Sequence, residues 1–286
     1  MSDQQKGLIP TFDELLSGID HRFCVRHLYN NFRKRFPGVQ LKMMMWKAAK
    51  AIYVQEWKRR MKEIQLIDQG AYNHLMEIPA KYWSKSRFNY FLRVDTLVNN
   101  MCECFNSVIV EAREKPIVST LEDIKIYLMN RWADNIQSIV TYAGEILPKI
   151  NKKIEREFDK GGEWLAIYAG RDKYEVSSSQ GNKDKFVVDL NLHECSCRKF
   201  QLTGYPCEHA MSYIRKMCLD VKNYVNKYYR KETYVDYYQH VIYPENDDVL
   251  PPVFRKLIGR PKLSRNKTGD EPRNNGPLAK LSRTGQ

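Results

Sequence analysis

Three thiols and an imidazole fall in two close pairs: Cys195-Ser196-Cys197, nine intervening residues, then Cys207-Glu208-His209. Four nitrogen and sulfur donors of this kind suit the tetrahedral shell of Zn2+, which makes no geometric demand beyond that shell. A Cys-x-Cys pair can offer both thiols to one ion only from extended or turn backbone. Gly204 and Pro206 supply a turn that brings Cys207 back toward the first pair, and His209 stands where a helix begins. With four protein ligands the shell is closed, so the zinc would be structural. Cys218 reads as an ordinary buried thiol.

The elements that must position these residues can be read from hydrophobic period. Phe186, Val188, Leu190 and Leu192 alternate with Val187, Asp189 and Asn191, the period-two pattern of a half-buried strand that Cys195 and Cys197 would close. Trp164 to Tyr168 and Tyr174 to Ser178 are candidate partner strands around a turn at Gly170–Lys173. From Ala210 to Met217 the pattern turns helical, so residues 160–220 read as a small sheet and a helix, with 186–217 as the core of the unit. Residues 1–150 read as helical. Pro10, Thr11 and Glu14 form one helix start, and Ser119 with Glu122 forms a capping-box pair. Leu41 to Ile64 contains neither Gly nor Pro and forms one long helix or two short ones. Leu121, Ile124, Leu128 and Trp132 recur at helical spacing as a stripe for the core.

Composition narrows the class. The 286 residues are 43% hydrophobic, too many for a disordered chain, and carry a net charge of +13. That charge fits a polyanionic partner, nucleic acid above all, and equally a solvated basic surface. No stretch approaches the roughly 18 apolar residues of a membrane span, and the first residues lack a signal layout. An intracellular chain is expected, in which close Cys/His spacing means metal rather than disulfides. Residues 251–286 lose periodicity and hold nine Lys/Arg against two acids, a basic disordered tail.

The spacing of the Cys/His pairs, and the run Gly204-Tyr205-Pro206-Cys207-Glu208-His209-Ala210, resemble the SWIM zinc finger of plant Mutator-like transposases. Upstream, Ser2-Asp3-Gln4-Gln5-Lys6-Gly7-Leu8 resembles a segment of the same family, as does His21 to Leu28, which contains a Cys-x-x-His pair. Asn99 to Asn106 and Ala112-Arg113-Glu114-Lys115-Pro116 continue the likeness, which spans residues 1–260. The resemblance implies an RNase H-like fold whose three carboxylates hold two Mg2+ ions for phosphodiester chemistry. Asp3 and Glu103 match two of the three acids. Taken by themselves they are a terminal acid and an ordinary helix acid. The first acid of the family lies upstream of the Asp3 segment, so strand cleavage by this chain alone is not expected. The chain would be a truncated transposase, a partial gene product or a domesticated derivative.

Further features complete the reading. Cys24 and His27, three apart, are half of a second metal site or a packed thiol beside a polar ring. Ile258-Gly259-Arg260-Pro261-Lys262 resembles the core of an AT-hook, in which Arg260 would enter an A·T-rich minor groove with Lys262 beside it. The alternative there is a solubilising tail. Seven tyrosines between 224 and 243 either stack on bases or pack around the finger. The expected fold is therefore α+β: a truncated RNase H-like region with a helical extension over 1–150, a small ββα SWIM finger, and a basic tail. The expected function is that of a nuclear, zinc-dependent, DNA-binding protein, with other proteins as further partners of the finger and no membrane. The rivals are part of an active transposase and a protein–protein adaptor.

Overall fold

A computed structural model describes residues 1–2, 8–15, 18–170, 173–179 and 184–239. Asp3, Arg260, Lys262 and the tail 251–286 lie outside the described residues.

Five helices open the chain: α1 (Leu8–Leu15), α2 (Val25–Phe32), α3 (Val39–Lys50), α4 (Val54–Ile67) and α5 (Gln69–Met76). Helix α1 starts two residues before Pro10, so Thr11 is not its cap. On α2 the apolar residues fall at one-turn spacing, and Val25, Leu28, Tyr29 and Phe32 are buried. Leu41, Met45, Ala48 and Ala49 face inward from α3, and Trp57, Met61 and Ile64 from α4. Leu41 to Ile64 is thus two helices, broken at the extended residue Tyr53 (φ −114°, ψ 157°). No Gly or Pro forces the break. Turning there lets both stripes reach one core. Helix α5 is capped by Asp68, whose carboxylate accepts from the Ala71 N–H at 2.8 Å. Trp83, Phe88 and Leu97 close this first core from the chain that follows, and Leu202 joins it from the far end of the sequence.

Helices α6 (Asn100–Val108) and α7 (Ile117–Val140) come next. Helix α7 begins at Ile117 behind Pro116, so Ser119 lies in its first turn and is not the cap expected. The stripe expected to enter the core does not: Leu121 is 58% exposed and Leu128 37%, and Ile139 is the buried residue of α7. Instead α7 packs on α11 (Lys231–Tyr238), where Trp132 meets Tyr237 and Tyr238 at ring distances of 5.5 and 4.6 Å.

Helix α8 (Pro148–Gly161), with Pro148 in its first turn, leads into an antiparallel sheet of order β1-β2-β3-β4. The strands are β1 (Trp164–Gly170), β2 (Lys173–Ser178), β3 (Lys185–Asp189) and β4 (Glu194–Cys195), followed by α9 (Lys199–Thr203) and α10 (Glu208–Lys216). Ala166, Val176, Phe186 and Val188 line the inner face and form a second core with Ile154, Met211 and Ile214. Helices α8 and α10 cross closely over that core: a Cβ on Gly161 would stand 2.9 Å from the Met211 Cβ. Tyr224 and Tyr229 pack against this core, whereas Tyr237 stays 61% exposed. All strands among the described residues thus lie within 164–195. Upstream, extended pairing among the described residues is limited to two isolated bridges, Ser2 with Phe23 (parallel) and Ile146 with Arg230 (antiparallel).

Candidate metal centre

Strand β3 runs from Lys185 and ends at Asp189, short of Leu192, because the chain turns. The Asp189 carboxylate accepts from the Leu192 N–H at 3.1 Å, and His193 takes a left-handed conformation (φ 54°). Strand β4 then returns antiparallel, with Cys195 opposite Val188. Cys195 therefore stands on its own short strand rather than at the end of β3. Ser196 continues the pairing by exchanging bonds with Val187: N–H to carbonyl at 2.8 Å, and Oγ accepting from the Val187 N–H at 2.9 Å. This holds Cys195 and Cys197 in the extended-then-turn backbone that a Cys-x-Cys pair requires.

Arg198 (φ 67°) and Gly204 (φ 77°) bracket α9 with left-handed residues. At Gly204 the requirement is also steric, since a Cβ would meet Tyr229, Arg93 and Asn226 at 3.1 to 3.3 Å. Beyond Pro206, Cys207 caps α10, and His209 lies in its first turn.

The ligand atoms of Cys195, Cys197, Cys207 and His209 all lie within 4.8 Å of one another, and all four residues are buried. His209 Nδ1 stands 3.6 Å from Cys195 Sγ and 3.8 Å from Cys207 Sγ. Bonds of about 2.3 Å to sulfur and 2.0–2.1 Å to nitrogen put tetrahedral ligands roughly 3.5–3.8 Å apart. Hence an ion fits with little movement. The His209 ring is held by stacking on Phe186 (3.9 Å between centroids) and by an edge contact with Trp164 (4.3 Å). The Lys199 N–H points at Cys197 Sγ from 3.4 Å.

The electrostatics ask for a cation. Burial pushes the Cys197 thiol well above its ordinary pKa, and its bonds to Cys195 and Cys207 push further. Burial also opposes ionisation of Cys207, but donation from Cys195, Cys197 and His209 outweighs it and lowers that thiol well below the usual range. A dry cluster of this kind favours one thiolate at most. A divalent ion would stabilise all three, which is the chemistry of this donor set.

Outside the ligands, Lys199 joins two carboxylates, with Nζ 2.6 Å from Glu157 and 2.5 Å from Glu208. The Glu157 carboxylate also accepts from the Glu208 N–H at 3.2 Å, at the positive end of α10. Burial raises the Glu157 pKa to about 7. Burial works against Glu208 as well, but its bond with Glu157 and the Lys199 charge outweigh it and hold Glu208 down to about 2. Glu208 between two ligands was visible in the sequence. Its partner on α8 carries no sequence signal.

The centre is also tied to the first core. The Arg198 guanidinium donates to the Ser86 carbonyl and, at 2.8 Å, to that of Phe88. Arg93 donates to the Gln201 carbonyl at 2.7 Å, and the Tyr229 hydroxyl donates to the Arg93 carbonyl at 2.7 Å.

The other expected site residues fall elsewhere. Glu103 on α6 meets Arg26 at 3.1 Å and His27 at 3.7 Å, so the structure brings together two of the segments that carry the resemblance. Cys24 is buried and accepts from the Asn99 N–H at 3.4 Å. Among the described residues, Cys195, Cys197, Cys207 and His209 are the one group of three or more potential ligands, so Cys24 and His27 gather no second set. Cys218, expected to be buried, is exposed at a left-handed position (φ 50°) where α10 ends. No helix among the described residues is long and apolar enough to cross a membrane.

Residues 182–212 match the SWIM zinc finger family, a span that contains all four ligands. Comparison with curated proteins and with solved structures finds no match. The family match and the assembled cluster together support zinc binding at this centre.

Proposed function

We propose that this protein is a nuclear DNA-binding protein derived from a plant Mutator-like transposase, in which a structural zinc ion assembles a SWIM finger. The observation that carries the reading is the buried Cys195–Cys197–Cys207–His209 cluster, already at ligand distances within the SWIM span. Strands β3 and β4 with α10 supply a ββα finger, into which α9 is inserted. The net charge of +13 and the resemblance over residues 1–260 support DNA as the partner. We assign binding rather than strand cleavage to this chain. Cleavage with Mg2+ would need Asp3 and Glu103 to share metal ions with a third acid, and Glu103 is held by Arg26 and His27.

Metal analysis of the purified chain beside a Cys207→Ser variant tests the zinc centre. One equivalent of zinc in the wild type, lost in the variant, is expected. Full retention in the variant would overturn the ligand set. Affinity for duplex DNA measured across a salt series tests the partner: phosphate contacts make it fall steeply as salt rises.

A specific observation favours a second reading, the protein–protein adaptor. Leu165 and Ile167 on β1 and Val187 on β3 lie on the outer face of the sheet, at 58%, 58% and 47% exposure. An apolar sheet face of this kind fits another protein. A chain that ignores duplex DNA at low salt, yet loses a protein partner on Ile167→Glu, would favour the adaptor.

A further inference from the structure

Residues 21–62 hold twelve Lys/Arg and a single acid, Glu56, so about a seventh of the chain carries +11 of its net +13. These residues form α2, α3 and the first part of α4, which turn their apolar stripes into one core. The outward faces of α3 and α4 are therefore cationic, whereas Arg22 is buried against Asp20 and Arg26 pairs with Glu103. On α3, Lys47 and Lys50 are exposed on the side away from Leu41, Met45 and Ala48. On α4, Lys58, Arg59 and Lys62 are exposed on the side away from Trp57, Met61 and Ile64.

The acids nearby do not neutralise them. Glu56 and Glu63 both face Arg60, at 4.0 and 2.9 Å. Among the described residues, Lys47, Lys50, Lys58, Arg59 and Lys62 form no ion pair. Lys58 and Lys62 stand one turn apart and repel each other, as do Lys47 and Lys50. The next turn of the surface continues the charge: Lys34, Arg33 and Lys42 line a hollow of about 390 Å³ at the start of α3, beside the Tyr29 ring.

We infer that the outer faces of α3 and α4 hold the phosphate backbone of duplex DNA, and that the zinc finger braces this surface rather than reading the DNA itself. The inference rests on DNA being the partner and adds where the phosphates bind. Lys47, Lys50, Lys58, Arg59 and Lys62, held on two rigid helices beside a finger that grips their core through Arg198 and Leu202, fit a regular polyanion.

The test uses the full, zinc-loaded chain and a fluorescent 25-base-pair duplex, read by anisotropy across a salt series. One variant carries Lys47, Lys50, Lys58, Arg59 and Lys62→Gln. A control removes equal charge from α8, with Lys149, Lys152, Lys153, Arg156 and Lys160→Gln, and a third carries Arg260→Ala with Lys262→Ala. Zinc content and circular dichroism confirm that each variant is folded. The α3–α4 variant is expected to lose on the order of tenfold to a hundredfold in affinity near 0.1 M salt. Its plot of log affinity against log salt should be shallower by about 3 to 4.5, from the slope of roughly −0.9 per phosphate contact. The control and tail variants should change less than about threefold. Undiminished binding by the α3–α4 variant, or an equal loss in the α8 control, overturns the inference while leaving DNA as the partner. A wild-type chain that does not bind the duplex overturns DNA as the partner, and this inference with it.

Discussion

Stripping the zinc should loosen not only the finger but also the helical core to which it is bound. Structural zinc contributes about 10–16 kcal/mol in isolated fingers, comparable to or larger than the roughly 5–15 kcal/mol that holds a whole domain folded. The finger is therefore expected to unfold when the ion is removed. Its collapse withdraws Leu202, 2% exposed, from the first core. Truncating a buried leucine costs about 2–5 kcal/mol. The same event releases Arg198 from the Ser86 and Phe88 carbonyls. Hydrogen bonds to a charged group contribute about 1.5–3 kcal/mol each. Neighbouring losses do not add fully, so a loss on the order of 5 kcal/mol is expected for the unit spanning residues 21–99.

Hydrogen exchange read by mass spectrometry, with and without a chelator, measures this directly. Amides in 84–97 should lose protection together with those in 185–212. In a thermal melt followed by the fluorescence of Trp57 and Trp83 in a Trp164→Phe background, the midpoint should fall by roughly 20–40 °C, at about 4–8 °C per kcal/mol for a unit of this size. In zinc-loaded protein, Leu202→Ala and Arg198→Ala should each reproduce part of the effect. If the finger exchanges freely after chelation while 84–97 stays protected, the two cores are not coupled and the reasoning fails.

Three further outcomes follow from single features. Gly204→Ala should destabilise the chain by about 1–3 kcal/mol, because a left-handed residue gains a Cβ against Tyr229, Arg93 and Asn226; an unchanged denaturation midpoint would contradict it. Folded Glu157 keeps its proton to about pH 7, whereas the ordinary carboxyl releases it near 4.5, so its contribution to stability falls as pH rises between those values and is level above. Glu208, held down to about 2, titrates below that window. Glu157→Gln should therefore lose less stability than wild type between pH 5 and 7.5, and a steeper loss in denaturant titrations would count against the assignment. Leu121→Asp, at a position 58% exposed, should shift stability by no more than about 0.5 kcal/mol; a large loss would return that stripe to a core.

The metal centre was legible in the sequence because its information is local. Two short spacings, a Gly-x-Pro turn and an alternating strand bring the four ligands together within fifteen residues of chain. Hydrophobic period carries the strand on to Leu192, past its end at Asp189, because it does not register the bond by which the Asp189 carboxylate accepts from the Leu192 N–H. The stripe on α7 misled for the opposite reason. Period reports that a helix has an apolar face, and not that anything covers it. Leu121 and Leu128 therefore have the pattern of core residues without the burial. Contacts of long sequence separation left no trace at all: Glu157 beneath Glu208, Arg198 on Ser86, and Leu202 in the first core are 51, 112 and more than 100 residues from their partners.

Those distant contacts explain why a unit this small needs both a metal and a neighbour. The sheet has four short strands, covered on one face by α10, on which α8 packs, while Leu165, Ile167 and Val187 stay exposed on the other. One covered face of a sheet this size buries too little apolar surface to offset the entropy of ordering its turns. Zinc closes the loop between β4 and α10 from inside. The Lys199 ion cluster anchors α8 to the start of α10 beside it, and Arg198 fastens the loop to the helical unit from outside. Cys197, Arg198 and Lys199 are consecutive, so one left-handed residue aims a metal ligand, a clamp on the first core and a buried ion pair in three directions. Disturbing any one of the three should therefore be felt at the other two, which is why the ion's removal is the most informative perturbation of this chain.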